Sequence, residues 1–137
     1  MKRLIIVALL SSLLIFAIDR ERIPTGSKVF VGDMNGFGAY ITAAITKKKL
    51  PVLVVAKKED ADFEITGNAE SEKPGWARTI FLGQGRSNEQ ASVNLINLKT
   101  GVVVFGYAVS KVNSVNGKQS AAEACAKHLR EAVQKAK

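Results

Sequence analysis

Gln90-Ala91-Ser92-Val93-Asn94-Leu95-Ile96-Asn97-Leu98-Lys99-Thr100-Gly101-Val102-Val103-Val104-Phe105-Gly106-Tyr107-Ala108-Val109-Ser110-Lys111 is the stretch that decides the fold. Two strand-like runs, Gln90 to Leu98 and Val102 to Lys111, flank Lys99-Thr100-Gly101, a three-residue loop ending on glycine, where such a hairpin needs positive φ. The stretch predicts a β-hairpin. In its second arm, strand alternation sends Val103, Phe105, Tyr107 and Val109 to one side, expected to be the core face, and Val102, Val104, Gly106 and Ala108 to the other. That second face is itself partly apolar, so it is expected to meet another subunit or a partner, with Val102, Val104 and Ala108 as candidate contacts.

On the N-terminal side, Phe63, Ile65 and Gly67 alternate with Glu64, Thr66 and Asn68, the pattern of a strand with one wet face. A short strand is expected over Ala77 to Leu82, between the loop Ser71 to Gly75 and the turn Gly83-Gln84-Gly85. Lys28 to Val31 reads as the first strand. It is followed by the turn-rich loop Gly32 to Gly38 and by a helix carrying Phe37, Tyr40, Ile41, Ala44, Ile45 and Leu50 at helical spacing, with Asn35 as its N-cap. Lys47, Lys48 and Lys49 fall in its last turn, where positive charge suits the helix dipole. Pro51 stops the helix, and the β-branched run Val52 to Ala56 forms a second strand beside the first.

On the C-terminal side, a loop over Asn113 to Gly117 leads to a helix from Ser120 to Ala136, with Ala122, Cys125, Leu129, Ala132, Val133 and Ala136 on one stripe. The expected architecture is one α+β domain: a five- or six-stranded mixed, mostly antiparallel sheet with two main helices packed on one face.

The start of the chain has a different character. Met1-Lys2-Arg3 precedes an apolar run from Leu4 to Ile18, then Asp19-Arg20-Glu21-Arg22, which is the layout of a secretory signal; a membrane span ordinarily needs ~20 apolar residues. Residues 1–17 are therefore expected to be a signal peptide or a short uncleaved anchor, 18–27 a linker and 28–137 the domain. The expected location is exported and periplasmic.

With 137 residues, 47% of them hydrophobic, there is room for a single core, and one cysteine rules out an internal disulfide framework. No cofactor or metal is expected. The spacing of Gly32, Gly36 and Gly38 fits no phosphate-binding fingerprint, and Asp33 would repel phosphate. The acidic group Glu59, Asp60, Asp62 and Glu64 lacks the spaced ligands of a calcium loop. Cys125 and His128, three apart on a helix, are the one pair a thiol-dependent hydrolase would use, yet Cys125 lies on the apolar stripe. The net charge of +8 is scattered apart from Lys47 to Lys49 and Lys57-Lys58, without the tracts of a specific nucleic-acid binder. Such a surface suits contact with anionic lipid or cell-wall polymer, through Lys47, Lys48 and Lys49. Trp76, in the loop Lys73 to Arg78, is a further candidate partner contact.

The segments Ala61-Asp62-Phe63-Glu64-Ile65-Thr66-Gly67 and Lys99-Thr100-Gly101-Val102-Val103, in the order strand, helix, strand, hairpin, helix, resemble the small envelope domain of the curli-secretion-channel subunit and of the lipoprotein activators of penicillin-binding proteins. The lipid-attachment cysteine of those lipoproteins is absent. The ending Gly117 to Leu129 is similar to that of small exported bacterial proteins. The resemblance implies a non-enzymatic accessory domain of the cell envelope, which binds an envelope protein or associates with itself.

Overall fold

A computed structural model describes residues 21–72, 87–114 and 116–135. The elements are β1 (Lys28–Val31), α1 (Phe37–Lys47), β2 (Leu53–Val55), β3 (Phe63–Glu72), β4 (Ser87–Asn97), β5 (Val103–Ser114) and α2 (Gly117–Gln134), with a 3-10 turn over Lys58–Asp60. The sheet is five-stranded and mixed, in the order β2-β1-β3-β4-β5. β1 pairs in parallel with both β2 and β3, and the longer ladders β3–β4 and β4–β5 are antiparallel. Parallel neighbours need a crossover, which α1 supplies between β1 and β2. The expected strand over residues 77–82 and the loop carrying Trp76 lie outside the described residues.

Both helices cover the same face of the sheet, and the core forms between the layers. Val29 from β1, Phe63 and Ile65 from β3, and Ala91, Val93 and Leu95 from β4 meet Phe37, Ile41, Ala44 and Ile45 from α1 and Ala122, Cys125, Leu129 and Val133 from α2. α2 buries mainly small side chains, Ala121, Ala122, Cys125 and Ala126 beside Gly117, which lets it lie close to sheet and neighbouring helix alike. Gly67 serves the same end within the sheet, since a Cβ there would overlap the Ser92 carbonyl of the adjacent strand. Among the described residues, no helix is long and apolar enough to cross a membrane.

The hairpin turns where expected, and Gly101 has φ +73°. Its second arm, however, is out of phase with strict alternation. Leu95 pairs with Phe105 while the next residue, Ile96, pairs with Val103, so β5 carries one extra residue, a bulge at Val104. The bulge turns Val103 to the open side, 55% exposed, and brings Val104 down against the core beside Phe105. Val103 was expected inside and Val104 outside. Beyond the bulge, Phe105, Tyr107 and Val109 follow the expected phase and pack against the core, with Ala108 exposed opposite.

Three boundaries also move. The cap of α1 is Gly36 at φ +83°, and Asn35 is itself left-handed at +56°; the Gly36 N–H is met instead by the Asp33 carboxylate at 3.3 Å. β5 runs on to Ser114, through the first two residues of the expected loop, and α2 starts at Gly117. Within residues 23–27, read as a linker, Ile23 and Ser27 are buried, Ile23 in the core, and the Gly26 N–H donates to the Pro51 carbonyl at 2.7 Å.

Candidate partner interface

Cross-strand rows describe the face that the helices leave open. Val55, Phe30, Glu64, Ile96 and Val103 form one row across all five strands. Asn68, Ser92 and Ala108 form another, and Glu70, Gln90 and Ser110 the next. The face is thus apolar near the hairpin turn and polar toward the far end, where these last two rows line a shallow groove of ≈ 390 Å³. Glu64 breaks the apolar row but is ion-paired to Lys58 at 2.7 Å, so the 3-10 turn leans over this part of the sheet.

Among the described residues, five large apolar side chains stay exposed: Tyr40 at 43%, Leu53 at 58%, Val54 at 40%, Val102 at 44% and Val103 at 55%. Four of them stand on or beside the outer strands β2 and β5. Of the contacts proposed from the sequence, Val102 and Ala108 are exposed, whereas Val104 is half-buried against the core. Leu53, Val54 and Val103 were missed. For Val103 the reason is the bulge, and for β2 it is that an apolar run does not reveal which strand ends up outermost.

The lysine cluster is partly committed within the fold. Lys47 Nζ donates to Glu123 Oε1 at 2.7 Å and Lys48 Nζ lies 3.6 Å from Oε2, a pairing that ties the end of α1 to α2. Only Lys49 of the three stands beyond that arrangement, at φ +52° after the helix end.

Cys125 and His128 do not form a joint site. The thiol is buried in the core, where desolvation pushes its pKa up to about 11, opposite to what a thiolate nucleophile needs. The void beside it, lined by Ile41, Ile65, Leu95 and Leu129 among others, is only ≈ 10 Å³. His128 instead faces the surface, stacked on Tyr107 with ring centroids 4.3 Å apart, with Nδ1 3.4 Å from the Glu131 carboxylate. No group of three His, Cys, Asp or Glu residues suited to a metal occurs among the described residues.

The Tyr107–His128 stack lies in a groove of ≈ 590 Å³ between β5, α2 and the N-terminal segment. Glu21 is among the residues that line it. Its carboxylate accepts from Asn97 Nδ2 at 2.8 Å and from the Thr100 hydroxyl at 3.0 Å, so the described chain begins pinned to the hairpin turn. Sequence periodicity carries no signal for such a contact between residues so far apart in the chain. Glu89 was missed as well: it is buried and packs directly over Gly117, at the positive end of α2, where a carboxylate complements the helix dipole.

The fold is similar to that of PelC. A variant PelC dodecamer from Paraburkholderia phytofirmans, crystallised in space group C2, superposes with a TM-score of 0.55 at 19% identity, covering 80% of this chain and 90% of that one. The PelC dodecamer of the same organism in space group P6 gives 0.53 at 19% identity, over 80% and 91% of the two chains. At this identity the likeness is one of fold. No family model matches the chain, and no curated protein does.

Proposed function

We propose that this chain is a non-enzymatic accessory domain of the bacterial cell envelope, whose activity is binding, to further copies of itself or to an envelope protein. The observation that carries this reading is the set of exposed apolar side chains on the outer strands, Leu53 and Val54 on one side and Val102 and Val103 on the other. An open sheet edge with apolar side chains invites aggregation unless something covers it. The PelC chains of similar fold are dodecamers, which supports self-association as the form the binding takes. The envelope location rests on Met1-Lys2-Arg3 and the apolar run that follows.

Two measurements test the reading. Protein recovered from a fractionated native host is expected to begin near Ile18 and to be released by osmotic shock; intact Met1 in the inner-membrane fraction would keep the envelope location with a permanent anchor, and recovery from the cytoplasm would overturn it. Light scattering on the recovered protein is expected to give a mass above that of one chain. A single-chain mass at every concentration, with no envelope protein co-purifying, would overturn the binding role.

A further inference from the structure

In the sheet of the described residues, β2 and β5 are the outer strands. Each carries a pair of exposed apolar side chains at its start, Leu53 and Val54 on β2 and Val102 and Val103 at the entry to β5. Backbone hydrogen bonds put the two pairs at one level of the sheet. Lys28 is in register with Leu53, and its carbonyl accepts from the Asp62 N–H at 2.8 Å. The Asp62 carbonyl accepts from the Leu98 N–H at 3.0 Å, and the Val102 carbonyl from the Asn97 N–H at 2.9 Å. The strand pairings also make β2 and β5 run in the same direction.

Symmetry gives this placement a meaning. A two-fold dimer uses one patch twice, so a second apolar patch on the opposite edge would have no role in it. A head-to-tail ring joins two different patches, and rotation about the ring axis leaves each patch at its own height along that axis. Two apolar corners on opposite edges at one level are therefore what a ring with its axis along the strands requires. We propose that the Leu53–Val54 corner of one copy packs against the Val102–Val103 corner of the next, so that copies join head to tail into a closed ring. The inference rests on the self-association reading above and names its contact.

The test uses complementary variants of the exported protein as recovered. Leu53→Glu spoils one corner and leaves the other intact; Val103→Glu does the reverse. Both positions are exposed, so circular dichroism and the thermal midpoint should match wild type, and Val54→Glu and Val102→Glu serve as second variants at each corner. Native mass spectrometry is expected to show a multi-chain wild type and a loss of assembly in each variant of at least roughly tenfold in affinity. An equimolar mixture of the two variants should then form a 1:1 pair and go no further, because each contributes one sound corner. If the mixture stays single-chain, or if either variant assembles like wild type, the ring contact is wrong while self-association stands. A wild type that remains a single chain removes both.

Discussion

Neighbouring residues of β4 sit in different surroundings: Leu95 is buried beneath the helices, while Asn94, one position earlier, is exposed on the open face. The covered face is closed by α1 and α2 of the same chain, so its apolar positions on β1, β3 and β4 have partners already encoded in the sequence, and only on the outer strand β2 does one, Val54, stay exposed. The open face has no helix over it among the described residues, and apolar side chains such as Val103 stay exposed there. The difference between the two faces predicts how far a substitution on each is felt, and by what measurement.

The largest contrast is expected at that pair. Leu95→Ala removes a fully buried side chain from between β4 and both helices, and should lower the unfolding free energy by roughly 2–5 kcal/mol. Asn94→Ala should stay within about 0.5 kcal/mol, because the residue is exposed on the open face. Denaturant midpoints of the two variants measure this directly. Equal losses would mean that the open face is covered as firmly as the other.

Cys125 sharpens the comparison from inside the covered layer. Burial holds its thiol protonated, with a pKa raised from 9.0 to about 11, so a thiol reagent at pH 8 should label the unfolded protein and leave the folded one untouched. The folded state binds this proton more tightly than the unfolded state. The stabilising contribution is therefore complete below pH 9.0 and lost as pH rises through about 11, a fall of about 1–2 kcal/mol after allowing for solvent screening. Cys125→Ala should flatten stability over that interval. Rapid labelling of the folded protein would show that the site opens without global unfolding.

The covered face was largely legible in the sequence, because burial leaves a periodic signature: Phe63 and Ile65 on β3, and Ala122, Cys125, Leu129 and Val133 on α2, were read at the positions they occupy. What failed to show were features set by tertiary geometry. The bulge at Val104 reverses the phase of alternation at a point where three valines in succession give alternation nothing to read. Ile23 joins the core from a segment too short and too rich in Pro and Gly to display a period. Asn35 is a good capping residue by type, but the chain turns through left-handed conformations at Met34, Asn35 and Gly36, which moves the cap onward by one. On the open side, Val102 and Ala108 were read as exposed, yet the pair on β2 depended on strand order, which local pattern does not contain.

The smallest effect is expected on the outer surface of the helical layer, where Glu123 joins α2 to α1. Its carboxyl is held below the ordinary value of 4.5, chiefly by the hydrogen bond from Lys47, then by that from Gln119, against the opposing effect of desolvation, with the charges of Lys47 and Lys48 adding less. A lowered folded pKa means that the contribution is present above 4.5 and disappears as pH falls through the folded value. Glu123→Gln should accordingly lower the thermal midpoint slightly at pH 7, make almost no difference near pH 3, and matter less as salt is added, since an exposed pair is screened. A deficit of the same size at pH 3 and pH 7 would show that the side chain acts by packing, and that Lys47 and Lys48 are held to the fold by something other than its charge.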